Sequence, residues 1–139
     1  MAVITVERTI NVPLKKVWDV ASNFAESPGS SIEIQLEKEG DPKLNGIGME
    51  RTITFLKQND KLRERLETID PPNSFTYSVL SGAPVKSYLG KAEFSPSGET
   101  TNIKWSGTFT PKIIGIGWLV GMKVSKSIND LIDDLEKIE

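Results

Sequence analysis

The stretch from residue 113 to 138 constrains the fold most, because it reads as one long helix with a single apolar face. Ile113, Val120, Val124, Ile128, Leu131, Leu135 and Ile138 keep to a 3.6-residue period. Lys123, Lys126, Asp130, Asp133, Asp134 and Lys137 fall off that stripe, so the spacing turns them toward water. At about 1.5 Å per residue such a helix spans roughly 35–40 Å, about the width of a small domain. It needs an equally broad apolar partner, and the rest of the chain offers one.

Nearly everything before the helix alternates with period two. Ile4, Val6 and Arg8 share one face of a first strand, with Val3, Thr5 and Glu7 on the other. Pro13 suits a helix start, and Leu14, Val17, Trp18 and Ala21 then form one helical face. Asn23 with Glu26 three residues on has the form of a capping box, which predicts a second short helix ending at Pro28-Gly29. Six strands follow. Their inward faces read Ile32, Ile34, Leu36; Met49, Arg51, Ile53, Phe55; Leu62, Glu64, Leu66, Thr68; Phe75, Tyr77, Val79; Tyr88, Gly90, Ala92, Phe94; and Ile103, Trp105, Gly107, Phe109. Turn residues separate them, including Gly40-Asp41-Pro42, Asn45-Gly46 and Asp70-Pro71-Pro72-Asn73. No helix intervenes, so antiparallel hairpins are expected. The fold class is therefore α+β: a curved seven-stranded antiparallel sheet, two short helices plugging one end, and a long C-terminal helix in its grip.

Length and composition narrow the chemistry. The 139 residues suit one domain, residues 1–139, with a substantial core. A net charge of −2 without a basic cluster argues against nucleic acid as a partner. The apolar run 113–122 is bounded by Lys112 and Lys123 and is too short for stable membrane insertion. Glu7 and Arg8 stand where a signal peptide needs an apolar region, so a cytoplasmic location is expected. Cys and His are absent, which removes disulfides, the usual zinc sites, thiol nucleophiles and His-based triads. Any chemistry must come from Asp, Glu, Arg, Lys, Tyr, Ser or Thr.

Several motifs in order resemble the START-like superfamily of helix-grip proteins, also called SRPBCC or the polyketide cyclase/dehydrase and lipid-transport superfamily. They are Val12-Pro13 before Val17-Trp18; Gly46-Ile47-Gly48-Met49-Glu50-Arg51; Glu64-Arg65-Leu66 before Ile69-Asp70-Pro71; Tyr77-Ser78-Val79 before the stretch from Gly82 to Tyr88; and Ile103-Lys104-Trp105 before Phe109-Thr110-Pro111. The resemblance covers essentially the whole chain. It implies a deep apolar cavity for a small hydrophobic ligand and, in most members, no cofactor. Plant abscisic-acid receptors of this superfamily close two loops over the mouth, which here would be Leu56–Asp60 and Gly82–Ser87. The second reads Ala83-Pro84-Val85 in place of the receptors' His-Arg-Leu, against a hormone-receptor role. The resemblance to plant lachrymatory-factor synthase implies a site at Arg51, Glu64 and Tyr88.

Alternation independently sets Arg51 between Met49 and Ile53, and Glu64 between Leu62 and Leu66. A charge on a core face is costly unless paired, so the two are expected to meet, either inside the cavity or at its wet rim. Tyr77, Tyr88 and Trp105 face the same way, as pocket walls or ordinary core. Ile34, Val120 and Val124 complete the expected wall. Ser127, at the edge of the helical stripe, either touches ligand or bonds its own backbone. Trp118, Leu119 and Met122 point off the stripe and could cover the mouth, form a dimer patch or touch a membrane; the plainer alternative is a frayed helix start softened by Gly115, Gly117 and Gly121. Gly46-x-Gly48 is followed by a strand, which fails the test for a dinucleotide loop.

Three functions are compatible with this reading. The first is binding or carriage of a small hydrophobic molecule, lipid, polyketide or similar, by a monomer or weak homodimer. The second is a cofactor-independent cyclase or isomerase using Arg51, Glu64 and Tyr88. The third is a toxin-like or chaperone-partner module acting through its surface.

Overall fold

The computed structural model describes residues 2–40 and 46–138. The turn expected around Asp41–Asn45 lies outside them. The chain runs β1 (Ala2–Ile10), α1 (Leu14–Ala21), β2 (Ile32–Lys38), β3 (Glu50–Phe55), β4 (Asp60–Asp70), β5 (Ser74–Ser81), β6 (Val85–Ser97), β7 (Thr100–Pro111) and α2 (Gly117–Glu136). The strands form one antiparallel sheet in the order β1-β7-β6-β5-β4-β3-β2. Consecutive strands pair from β2 to β7, those from β3 onward through short hairpin connections, and β1 adds to the far edge beside β7. The predicted seven-stranded sheet and terminal helix are both present.

α1 buries Val17, Trp18 and Ala21, the face its spacing predicts. Ser22 ends it, with its hydroxyl turned back to the Trp18 carbonyl at 2.6 Å. The second short helix is not formed. Residues 22–30 make a succession of turns, with Phe24 N–H on the Ser22 carbonyl and Glu26 N–H on that of Asn23. The reason is that Phe24 is drawn into the core, where it is 1 % exposed. One end of the gap between helix and sheet is thereby filled with aromatic rings. Trp18 meets Phe94 edge-on at 5.8 Å, Phe75 meets Trp105 at 5.8 Å, and Phe24 meets Phe75 at 6.3 Å.

α2 begins four residues later than the spacing predicts. Gly115 adopts a left-handed conformation, φ 94°, through which a right-handed helix cannot propagate. Ile113 therefore leaves the stripe and is exposed. From Val120 onward the stripe packs as expected, and Gly121 lets the helix approach Ile4 of β1 closely. Asp134 departs from the reading that set it in water. It is buried, its Oδ2 accepts the Ser31 N–H at 3.2 Å, and Gly29 packs directly on it. The C-terminal half of α2 is gripped on two sides, by the sheet and by the chain before β2, so Ile132 and Asp134 are buried beside the stripe. Thr68 also differs. A bulge between Leu66 and Thr68 shifts the register of β4 by one residue, and Thr68 emerges on the outer face, where its hydroxyl meets that of Thr76. No helix among the described residues is long and apolar enough to cross a membrane.

Candidate functional site

Beyond the aromatic plug, the gap between α2 and the sheet stays open as a cavity of about 220 Å³. Its floor is β3 to β7 and its roof is Ile116 with α2 as far as Leu131. Arg51, Glu64, Tyr77, Tyr88, Trp105, Val120, Val124 and Ser127 all line it. Ile34 does not. It lies on β2, the edge strand, opposite Ile53 and outside the cavity. Alternation says which face a residue takes but not how far along the sheet it sits. Residues 82–85 and Asp60, from the two loops expected at the mouth, complete the wall.

Arg51 and Glu64 are direct cross-strand partners. Their strands are joined by a tight turn, so the register is short-range and the two inward charges must meet. The Arg51 Nε–H and Nη2 both reach Glu64 Oε1 at 3.0 Å. Nη1 donates to the Phe24 carbonyl at 3.3 Å, and the guanidinium lies 3.5 Å from the centre of the Phe24 ring. The residues are 5 % and 4 % exposed, so the pair is buried rather than at the rim. The sequence reading, which predicts a second short helix after Asn23, does not mark Phe24; an aromatic residue inside an otherwise polar stretch is the available signal.

Burial pushes the Glu64 carboxyl up, and the neighbouring Arg51 offsets this only in part. Burial likewise pushes Arg51 down, though from so high a starting value that it stays charged at neutral pH. On the outer face of the same strand, the Ser78 hydroxyl and then Arg65 hold Glu67 below the ordinary carboxylate value. The two glutamates are thus expected to titrate on opposite sides of about 4.3, the unperturbed value. Their linkage has opposite signs. The raised Glu64 favours the folded state below its unfolded pKa, and that term is lost as pH rises through its folded value. The lowered Glu67 stabilises above its unfolded pKa, and that term is lost as pH falls. Side-chain carboxyl ¹³C shifts followed against pH separate them; coincident titration of Glu64 and Glu67 would contradict the assignment.

The Trp105 indole N–H donates to the Tyr77 hydroxyl at 2.8 Å. The Tyr77 and Tyr88 rings lie 6.3 Å apart, and Tyr88 stacks on Phe109 at 5.9 Å. Burial first, and the Glu64 charge as well, push both phenols upward, so they are neutral hydroxyls at physiological pH. Gly90 and Gly107, paired on β6 and β7, provide the space under these rings. A Cβ at Gly90 would collide with the Tyr77 ring, and one at Gly107 with Tyr88. Neither glycine was singled out from sequence, although a glycine in the inward register of each of two neighbouring strands was visible.

At the mouth, the turn between β3 and β4 is tied to α2. The Gln58 amide donates to the Ser127 hydroxyl at 3.2 Å and to Asp130 at 3.3 Å, and Lys123 reaches Asp60 at 3.6 Å. Ser127 thus faces the cavity edge with its hydroxyl engaged by this turn. Among the described residues no cluster of acidic side chains is placed to hold a metal ion.

The family described as polyketide cyclase/dehydrase and lipid transport matches residues 1–136. A search of curated proteins finds no match. Solved structures share the fold across nearly the whole chain. The protein XoxI of Bacillus cereus is 24% identical with a TM-score of 0.76, covering 99% of this chain and 94% of that one. Norcoclaurine synthase of Thalictrum flavum, solved with dopamine and hydroxybenzaldehyde, is 16% identical with a TM-score of 0.75, covering 98% and 84%. A START superfamily protein of Mycobacterium smegmatis is 12% identical with a TM-score of 0.74, covering 96% and 94%. With the family match spanning the sheet, both helices and the cavity between them, the chain, which has the helix-grip fold, belongs to the polyketide cyclase/dehydrase and lipid-transport family.

Proposed function

We propose that the protein binds and carries a compact, uncharged hydrophobic molecule bearing a carbonyl or hydroxyl group. The observation behind this is that the cavity's two deep charges are committed to each other. Arg51 spends three of its donor contacts on Glu64 and the Phe24 carbonyl, so a ligand carboxylate would have to break a buried pair to be held. Deep in the cavity, what remains for a ligand is apolar wall and the phenols of Tyr77 and Tyr88; at the mouth Lys123 is paired with Asp60, and the Ser127 hydroxyl accepts from Gln58. At about 220 Å³ the cavity is smaller than the ~300–1,000 Å³ of drug-sized sites, which favours one or two rings over a long acyl chain.

The test is displacement of a neutral fluorescent probe, N-phenyl-1-naphthylamine, from the native protein. 2-Naphthol should displace it at least about tenfold more effectively than 2-naphthoate at neutral pH, because the carboxylate must shed its hydration without gaining a free cation. Equal or better competition by the naphthoate would overturn the neutral-ligand reading, and no probe binding would overturn the carrier reading itself.

A second reading, a cofactor-independent cyclase or isomerase, is favoured by one feature: Glu64 is a buried carboxylate of raised pKa at the cavity wall, near two phenols. Glu64 would move the proton and Tyr88 would donate to the developing oxyanion. Turnover that disappears in Glu64→Gln while probe binding persists would favour it over carriage.

A further inference from the structure

The stretch from Ile113 to Met122 carries more apolar side chain than the fold covers. Ile114 is fully exposed, Ile113 is 62% and Trp118 67% exposed, and Leu119 and Met122 are about half exposed. The left-handed turn at Gly115 holds the two isoleucines out, and Trp118, Leu119 and Met122 crowd one side of the first turns of α2. This surface is continuous with the cavity, because Leu119 also lines it. A connected apolar lip of this kind marks an interaction site.

Its charge indicates the partner. The Lys112 N–H bonds the Pro84 carbonyl at 3.0 Å, bringing residues 82–87 beside the start of the lip. Together residues 82–87 and 111–127 contain Lys86, Lys112, Lys123 and Lys126 and no Asp or Glu, in a chain of net charge −2. At the edge of this set Asp60 meets Lys123 at 3.6 Å, and Asp130 shares the Gln58 amide with Ser127. A two-fold contact between copies through this lip would set lysines against lysines. An anionic bilayer answers both features, with headgroups for the lysines and the acyl boundary for isoleucine and tryptophan.

We propose that this lip docks on anionic bilayers and sets the cavity mouth at the lipid–water boundary. Docking is peripheral, since no described helix can span a bilayer. It extends the carrier reading by naming where a hydrophobic ligand is collected or delivered, yet docking itself needs no ligand.

The full chain is sedimented with phosphatidylcholine vesicles, with and without about 30 mol % phosphatidylserine, at low salt. Binding should be at least about tenfold stronger to the anionic vesicles and should weaken steeply as salt is raised. Trp105 and Trp18 are 1% and 8% exposed, so Trp118 supplies the water-exposed emission. That emission should shift to the blue on binding. Ile114→Ser with Trp118→Ser should weaken binding about tenfold or more, and Lys112→Glu with Lys126→Glu should abolish the preference for phosphatidylserine. Val124→Trp, which fills the cavity, should lose probe binding and keep vesicle binding, so failure of the carrier reading is distinguishable from failure of docking. Absence of vesicle binding at low salt, wild-type binding by the Ile114/Trp118 variant, or self-association through Trp118 in place of vesicle binding would each overturn the proposal.

Discussion

Arg51→Met should destabilise the protein by about 3–5 kcal/mol, the usual cost of removing one partner from a buried ion pair. The substitution keeps much of the side-chain volume, so cavity formation contributes little. It removes the 3.0 Å contacts to Glu64, the bond to the Phe24 carbonyl and the stack on the Phe24 ring. The carboxylate that remains is buried with no cation beside it. An exposed pair would be worth only about 0–1 kcal/mol. Urea unfolding distinguishes the two, and a change below about 1 kcal/mol would show that the pair is solvated.

The deficit should also depend on pH. Without Arg51 the Glu64 carboxyl loses the influence that lowers its pKa, so its folded value climbs further above the unfolded one. The folded state then holds its proton more tightly than the unfolded chain. That advantage is full below the unfolded value, about 4.3, and is lost as pH rises through the folded value. Arg51→Met should therefore be closest to wild type in mild acid and furthest from it in mild alkali. Arg51→Met combined with Glu64→Leu should recover most of the loss, because no buried charge remains. If that double variant still binds the neutral probe, the pair acts mainly in setting the fold and lining polarity rather than in gripping ligand.

The residues of this pair were legible before the structure because two short-range rules fix them. Period two sets Arg51 and Glu64 inward, and a tight turn sets them opposite each other. The same rules turn Tyr77, Tyr88 and Trp105 inward. The misses share a different physics. Asp134 is buried by a backbone 103 residues away in sequence, through the Ser31 N–H, and no local pattern reports such a partner. Ile34 shares its face with core residues but lies at the sheet edge, and position across a sheet depends on strand order. Phe24 abandoned a plausible capping box because burying a ring outweighs about 1 kcal/mol of capping. Ile113 left the helical stripe because a single left-handed glycine outweighs a favourable apolar spacing.

Gly107→Ala should destabilise the protein by about 1–3 kcal/mol and shrink the cavity, against the ordinary expectation for a strand. In a strand interior alanine is normally better than glycine by roughly 0.5–1 kcal/mol, because glycine has more freedom to lose. Here the added methyl group would occupy the space of the Tyr88 hydroxyl and ring. Tyr88 cannot retreat sideways without giving up its stack on Phe109, and the Tyr77 ring is its other neighbour. The open direction is into the cavity, so the ring moves where ligand would sit. Affinity for the neutral probe should fall about tenfold, equivalent to about 1.4 kcal/mol. Truncating the ring reverses the sign. In a Tyr88→Ala background the same Gly107→Ala change should be neutral or stabilising, giving a coupling energy within the 0.5–3 kcal/mol range of contacting residues. Gly90→Ala should behave in the same way toward Tyr77, and should also disturb the 2.8 Å bond from Trp105. If Gly107→Ala is more stable than the parent and binds the probe unchanged, the tyrosine rings do not rest on the paired glycines, and the cavity owes its shape to α2 rather than to the sheet.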